Sequence, residues 1–274
     1  MIITIIGLGL IGASYAMGLS KKGYTVYGVD KNPETIEYAK KMNFIKDGST
    51  NEFNYISLAD LVVVALYPND VLPFIRKNLG YFKKGQVVTD VCGIKGSICE
   101  EATSLLSESY FIGSHPMAGR EKVGILYANN EIFNNANFLI CPVEGSKIKA
   151  IETLETVAKD LGFGNIYKIS PKVHDEMIAY TSQLTHAIAV SLVNSNTSSQ
   201  ASNFIGDSYR DLTRIAMINE NLWSQLFLEN KDALISKIDE FVEELQIIKG
   251  AVESENLDLL KEKFISSKKK REVM

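Results

Sequence analysis

The amino-terminal segment Ile2-Ile3-Thr4-Ile5-Ile6-Gly7-Leu8-Gly9-Leu10-Ile11-Gly12 carries the strongest structural signal in this chain of 274 residues. Its first five residues are all β-branched, which predicts a strand that is buried on both faces. The next six residues follow the pattern G-x-G-x-x-G, and a helix-like segment over residues 10–22 begins within them. A strand, a glycine-rich turn and a helix in this order predict the first unit of a dinucleotide-binding fold.

Five residues of this turn are candidate cofactor-binding residues. Gly7 permits the tight turn, Gly9 lets the backbone approach a pyrophosphate, and Gly12 allows the helix to pack closely on the strand. Leu10 and Ile11 lie at the amino terminus of the helix, where phosphate groups bind.

Asp30 follows the second expected strand, residues 25–29, and lies 18 positions beyond Gly12. A carboxylate at this place accepts hydrogen bonds from the ribose hydroxyls of NAD and repels the 2′-phosphate of NADP. Lys31, which comes next, weakens that preference. We therefore expect NAD as the cofactor; the alternative is that Asp30 only caps the following element.

Strand-like and helix-like segments alternate up to about Pro171, and this alternation predicts a doubly wound parallel sheet of the Rossmann type. Further strands of this sheet are expected at residues 61–66, 86–89, 110–112 and 138–141. We assign residues 1–168 to an NAD-binding domain on this basis.

The remainder of the chain contains helical patterns only, at residues 173–194, 222–250 and 257–265. We assign residues 169–274 to a helical domain for substrate binding and dimerisation. A long apolar helix must bury nearly its whole surface, and a small helical domain offers too little cover. A homodimer through these helices is therefore expected.

The composition argues against several classes of protein. A net charge of −4 is atypical of nucleic-acid-binding proteins, which usually have a basic surface. The cysteines Cys92, Cys99 and Cys141 are too few and too irregularly spaced for a disulfide framework or a zinc site, so we expect no metal and a reduced, cytoplasmic setting. Glycines interrupt the apolar amino terminus and no other stretch is long enough to cross a bilayer, so no membrane association is expected.

Histidine is scarce, with three in the chain. His115 follows an expected strand, at the edge where α/β sheets bind ligands, and its neutral imidazole can accept a hydroxyl proton while hydride leaves the same carbon. His186 lies within the apolar helix at 173–194, where a core position is the more frequent role. His174, beside two acidic residues at the start of that helix, is expected at the surface.

Arginine is also scarce, and Arg210 and Arg214 both fall in Tyr209-Arg210-Asp211-Leu212-Thr213-Arg214. Their helical spacing places them on one face, and the planar guanidinium group suits a carboxylate of the substrate. A structural ion pair with Asp211 or another acid is the alternative, and the two interpretations stand about even.

Three segments together resemble the prephenate dehydrogenase family. Gly113-Ser114-His115-Pro116-Met117-Ala118-Gly119-Arg120-Glu121-Lys122-Val123-Gly124 is similar to its signature loop. Residues 210–216 with Trp223 resemble a second signature, and Thr89-Asp90-Val91 with Lys95 a third. The segments occur in the family's order, and the resemblance covers essentially the whole chain.

The resemblance implies oxidative decarboxylation of prephenate to 4-hydroxyphenylpyruvate, or of arogenate to tyrosine, in tyrosine biosynthesis. It implies that His115 is the catalytic base and that Ser114 lines the site. It also implies that Arg214 holds the ring carboxylate and that His186 contacts the substrate. Arg210 is the further candidate for substrate binding.

Two departures from the family pattern concern the site. In Ser182-Gln183-Leu184-Thr185-His186, Gln183 replaces the first of two histidines that family members often carry, and we count it among the substrate-binding candidates. Cys92-Gly93 stands where many members have Gly-Ser, so a hydroxyl that would orient the histidine or the cofactor is missing.

Four functions remain in view. Prephenate dehydrogenase leads, because the ammonium group of arogenate requires an acid near the side chain and no clear candidate is evident. Arogenate dehydrogenase is second. A β-hydroxyacid dehydrogenase is disfavoured because its catalytic lysine has no clear match, and a non-catalytic NAD-sensing protein has no need of His115 and Arg214.

Overall fold

The computed structural model describes residues 1–51, 53–119 and 122–273, and only the backbone of Phe53. Arg120 and Glu121 of the expected signature loop therefore lie outside the described residues. The chain forms two compact units, Met1–Asn230 and Lys231–Met274. The division between residues 168 and 169 stays a prediction.

A six-stranded parallel sheet forms the centre of the first unit. The strands follow one another across it in the order β3-β2-β1-β4-β5-β6, which is the order of the Rossmann fold and confirms the expected architecture. In chain order they are β1 Ile2–Ile6, β2 Thr25–Val29, β3 Asp47–Ser49, β4 Leu61–Val64, β5 Val87–Asp90 and β6 Tyr110–Phe111.

Helices cover both faces of this sheet, which explains why its inner strands β1 and β4 are nearly continuous apolar runs. Ile5 and Val63 belong to the hydrophobic core on one face, whereas Ile6 and Val64 belong to the core on the other. The helices connecting the strands are α1 Leu10–Lys21, α2 Pro33–Lys41, α3 Phe53–Leu58, α4 Pro68–Lys77 and α5 Gly96–Leu105.

A second, three-stranded sheet follows, made of β7 Gly113–Pro116, β8 Asn137–Cys141 and β9 Asn165–Lys168, with α6 Ile148–Leu161 between the last two. β7 is antiparallel to β8, which is parallel to β9. The expectation that residues 138–141 belong to the main sheet is therefore wrong. A short buried apolar run identifies a strand but carries no information about its partners.

The helices after β9 are α7 Pro171–Ile178, α8 Leu184–Asn194, α9 Asp207–Thr213 and α10 Glu220–Glu229. A π-helical turn, Ala179–Gln183, joins α7 to α8, so the helix expected at residues 173–194 is present but not regular. The second unit contains α11 Lys231–Glu253 and α12 Leu257–Glu272. Across the described residues, no helix is long and apolar enough to span a membrane.

The glycine-rich turn between β1 and α1 is tightly packed at two positions. Gly7 has a positive φ of 88°, and a Cβ atom on it would lie 2.4 Å from the carbonyl oxygen of Ala65. A Cβ on Gly12 would lie 1.9 Å from the carbonyl oxygen of Gly7, whereas one on Gly9 would have no atom within 4 Å. Backbone contact thus requires glycine at positions 7 and 12 but not at position 9.

We predict that Gly12→Ala lowers the free energy of unfolding by about 1–3 kcal/mol, because the added methyl group displaces backbone atoms. Gly9→Ala is the matched control and is expected to cost less than about 1 kcal/mol, since the added methyl group meets no atom within 4 Å and only the modest capping preference for glycine over alanine is lost. Urea denaturation of both variants measures the difference. Equal losses in the two variants would contradict the packing argument.

Candidate active site

The glycine-rich turn lies where the strand order reverses, between β1 and β4, which is the ligand-binding edge of such a sheet. The helix that follows the glycine-rich turn, α1, has no acidic residue among its first residues and no side-chain cap at Gly9. The space beside Gly9 is open. These features fit a phosphate group at the helix amino terminus.

The carboxylate of Asp30 lies against this turn. Its Oδ2 accepts a hydrogen bond from the backbone N–H of Leu8 at 2.8 Å, and its Oδ1 accepts one from Asn32 at 2.9 Å. The residue thus both braces the turn and presents a carboxylate to the place expected for a ribose.

Asp90 and Lys95 form an ion pair in which both side chains have 0% exposure. Asp90 is the last residue of β5, and its Oδ2 also accepts a hydrogen bond from the N–H of Cys92 at 2.9 Å. Burial alone would lower the pKa of Lys95, but the adjacent Asp90 carboxylate reverses this effect and raises it. Lys95 is therefore charged, and the pair is held below the carboxyl edge of the sheet.

The second sheet is attached to the end of β5 by hydroxyl groups. Ser114 donates to the carbonyl of Asp90 at 2.7 Å, and Thr89 donates to the carbonyl of Ile112 at 2.7 Å. Ser114 is fully buried, so its contact with a substrate stays a prediction. Because successive side chains of a strand point to opposite faces, His115 points away from this anchor.

His115 lies on β7 rather than in a loop, and it belongs to a chain of three polar side chains. Its Nδ1 is 2.9 Å from Nε2 of His174, and Nδ1 of His174 is 2.7 Å from Oδ1 of Asp175. The Asp175 carboxylate also accepts hydrogen bonds from the N–H groups of Lys95 and Gly96, at 2.8 and 2.7 Å. The start of α7 is thereby joined to the start of α5.

The expectation that His174 lies at the surface is wrong, since its side chain has 0% exposure. Its acidic neighbour Asp175, which suggested a solvated helix end, is its hydrogen-bond partner. Burial lowers the pKa of His115 well below the ordinary 6.5, and the adjacent His174 and Lys95 add to the effect. Burial also lowers the pKa of His174, against the opposing influence of Asp175. Both imidazoles are neutral at neutral pH.

His186, on α8, stacks on the indole of Trp223, with ring centroids 3.5 Å apart and planes 27° from parallel. Its Nδ1 donates to the carbonyl of Ser182 at 2.8 Å. This arrangement fixes the ring and satisfies one nitrogen within the helix itself.

Gln183 is 1% exposed, and both ends of its amide are bonded within the protein. It donates to the carbonyl of Leu226 at 2.8 Å and accepts from Asn230 at 2.8 Å. Leu226 is adjacent to Gly93, because a Cβ at Gly93 would lie 3.3 Å from Leu226 and 3.8 Å from Cε1 of His115. Gln183 therefore supports the wall beside His115, and its direct contact with substrate stays a prediction.

The two candidate arginines have different surroundings. Arg210 pairs with Asp207 at 2.9 Å, and its side chain is 64% exposed. The structural alternative is thus observed for Arg210, although with Asp207 rather than Asp211. Arg214 is exposed and begins a 3-10 turn that packs against α8, the helix that carries His186.

Comparisons with known proteins agree with this arrangement. Residues 15–167 match the family described as prephenate dehydrogenase, nucleotide-binding domain, and residues 170–266 match prephenate dehydrogenase, dimerization domain. A prephenate dehydrogenase of Bacillus subtilis is 29% identical over 98% of this chain and 75% of its own length.

Two solved structures are similar over nearly the whole chain. One is prephenate dehydrogenase from A. aeolicus in complex with hydroxyphenyl propionate and NAD+, with a TM-score of 0.90, 27% identity, and coverage of 99% of this chain and 97% of that one. The other is Synechocystis arogenate dehydrogenase, with a TM-score of 0.86, 26% identity and coverage of 99% of each chain.

We predict that Asp90→Asn lowers the free energy of unfolding by about 3–5 kcal/mol, because it leaves the Lys95 ammonium group buried without its counter-charge. Adding Lys95→Met in the same chain should recover a large part of the loss. Urea denaturation of the two single variants and the double variant gives the coupling free energy.

Glu155→Gln is the matched control for this cycle, since it breaks an exposed ion pair with Lys168. Its cost is expected to stay below about 1 kcal/mol. An Asp90→Asn variant as stable as this control would show that the buried pair does not stabilise the fold.

Proposed function

The chain belongs to the prephenate dehydrogenase family, and on this premise we propose that it is an NAD-dependent prephenate dehydrogenase. The reaction would convert prephenate to 4-hydroxyphenylpyruvate and CO2, a step of tyrosine biosynthesis. The observation that carries the proposal is the neutral imidazole of His115, held through Nδ1 beside the carboxyl edge of a sheet whose first turn fits a dinucleotide.

The turn from Gly7 to Gly12 supports binding of the pyrophosphate, with Leu10 and Ile11 at the amino terminus of α1. Asp30 would accept hydrogen bonds from the ribose hydroxyls, which favours NAD over NADP. NAD supplies the hydride acceptor when bound. The A. aeolicus structure, which contains NAD+, supports this assignment.

His115 would take the proton of the ring hydroxyl as hydride leaves the same carbon. The ring then loses CO2, and the electrons of that C–C bond make it aromatic. Since aromatisation drives the reaction, the protein has mainly to orient the substrate, accept a proton and bind anions. Arg214 would hold the ring carboxylate, while His186 and Arg210 would contact other parts of the substrate.

Arogenate is the second candidate substrate, favoured by the similarity to Synechocystis arogenate dehydrogenase over 99% of both chains. Reading its ammonium group requires an acid near the substrate side chain. Gln183, which is neutral and occupied by structural hydrogen bonds, does not supply one. We therefore place prephenate first.

We also propose a homodimer formed through the carboxy-terminal helices. On α11, apolar side chains are exposed in the second unit, among them Ile235, Leu245 and Val252 at 53–60%. An isolated chain rarely leaves so many large apolar side chains in water. The match of residues 170–266 to a dimerization domain supports the same assembly.

We predict that the purified chain reduces NAD when it is given prephenate, and that His115→Ala lowers kcat about 100- to 10,000-fold, the usual contribution of a general base. NADH absorbance is followed with prephenate and arogenate in parallel. Preference for arogenate would keep the chemistry and change the substrate. Absence of turnover with both, in a chain that still binds NAD, would reject the enzymatic proposal.

We predict that Arg214→Ala raises KM about 10- to 100-fold, because a charge-assisted hydrogen bond to a carboxylate contributes about 1.5–3 kcal/mol. Arg210→Ala is the comparison: the Arg210 guanidinium is already paired with Asp207 and would contact a different part of the substrate, so this variant should raise KM less than Arg214→Ala does. Steady-state kinetics with both variants separates the two roles. The reverse result would assign the ring carboxylate to Arg210.

A further inference from the structure

We propose that His174 and Asp175 act with His115 as a proton relay, in which His174 takes up the Nδ1 proton of His115 while Nε2 of His115 takes a proton from the substrate. This inference rests on the proposed function, because the hydroxyl of the ring is the proton donor. His174 and Asp175 are positioning residues, since they act through His115 and not on the substrate.

The hydrogen bonds determine which ring nitrogens carry protons. A carboxylate can only accept, so Nδ1 of His174 carries a hydrogen and donates it to Asp175. In the neutral ring, Nε2 of His174 is then an acceptor, and Nδ1 of His115 must donate to it. Nε2 of His115 is left without a hydrogen, as a base requires. Asp175 thus sets the tautomer of the catalytic ring through a second ring.

Two backbone groups hold Asp175 in this role. The N–H groups of Lys95 and Gly96 donate to its two carboxylate oxygens, at 2.8 and 2.7 Å. The carboxylate therefore cannot turn away from His174 without leaving both donors unsatisfied, which is costly in a partly buried place. A Cβ on Gly96 would lie 2.9 Å from Oδ2 of Asp175, so the approach is close.

The charges around the pair favour storage on His174. The charge of Lys95 opposes a positive charge on either ring. The carboxylates of Asp175 and Asp90 favour a positive charge on His174, and Asp175 is in direct contact with it. Among the described residues, the neighbours that shift the pKa of His115, His174 and Lys95, both oppose its protonation. A positive charge is therefore more stable on His174 than on His115.

The relay returns both histidines to their starting protonation states at the end of each turnover. The hydroxyl proton moves to Nε2 of His115 while the Nδ1 proton of His115 moves to Nε2 of His174, and hydride leaves the ring carbon for the nicotinamide. The ring then releases CO2, and the bonding electrons reach the oxygen as a phenolate. The two protons return along the same path, so the phenol is formed and both histidines are neutral again.

The first test needs no turnover. In the chain of 274 residues with NAD bound, ¹⁵N NMR of the imidazole rings should show His115 and His174 as Nδ1–H tautomers at neutral pH. On acidification, the first proton should make His174 doubly protonated and convert His115 to the Nε2–H tautomer. An Nε2–H tautomer of His115 at neutral pH, or a first proton that stays on His115, would overturn the relay.

The second test follows the protons during hydride transfer. Single-turnover rates in H2O–D2O mixtures should depend on the deuterium fraction with curvature in the wild-type chain, because two protons move in one step. His174→Gln keeps an acceptor for His115 but cannot take up a proton. This variant should lower the single-turnover rate about 10- to 100-fold, which is part of the whole contribution of a general base. It should leave KM nearly unchanged. The rate should then depend linearly on the deuterium fraction.

Tyr24→Phe is the matched control, since it removes a side-chain hydrogen bond to a carboxylate, Asp160, outside this chain of residues. It should preserve both the rate and the curvature. Curvature that persists in His174→Gln would reduce His174 to a packing role. Absence of turnover in the wild-type chain would reject the proposed function, while the NMR result would still decide the relay.

Discussion

The arrangement of the site depends on the burial of a carboxylate, Asp90, at the end of strand β5. A charge without solvent must be paired, and Lys95 supplies the counter-charge five residues later, at the start of α5. The backbone groups of Asp90 and Lys95 also form hydrogen bonds with other elements. The carbonyl of Asp90 receives Ser114 of β7, and the N–H of Lys95 binds Asp175 of α7. One buried pair therefore joins the parallel sheet, the second sheet and the helices that follow.

This dependence explains which parts of the molecule were predictable from sequence. The βα unit with its glycine turn is encoded by adjacent residues, because the β-branched run, the glycines and Asp30 act within one short stretch. The Rossmann order of the strands then follows from general rules of chain connection. The pairing partners of short strands cannot be predicted in this way, because the hydrogen bonds between such strands involve residues that are far apart in the chain. The sequence therefore does not predict the antiparallel pairing of β7 with β8.

The residues of the site likewise divide into those that a local sequence pattern predicts and those that depend on contacts with distant parts of the chain. His115 was identified because the segment around it resembles a family signature, and its place after β6 agreed with the chemistry. The sequence wrongly predicts a surface position for His174, because an acidic neighbour is typical of a solvated helix end. The contact that buries it joins residues 59 positions apart, and no local pattern reports it. The motif places Gln183 among the substrate-binding candidates; the structure adds that its amide binds Leu226 and Asn230, while its contact with substrate stays a prediction.

The π-helical turn Ala179–Gln183 brings the side chains of His174 and His186 to the same face of the helix. In a regular helix each residue turns by about 100°, so the twelve steps from His174 to His186 would leave the two side chains about 120° apart. A π turn accommodates one extra residue, which reduces the effective count to eleven and the separation to about 20°. His174, in the chain to His115, and His186, against Trp223, then lie on one face of the helix. Such a turn weakens the helix, and the buried hydrogen bonds of Gln183, its last residue, offset part of this cost.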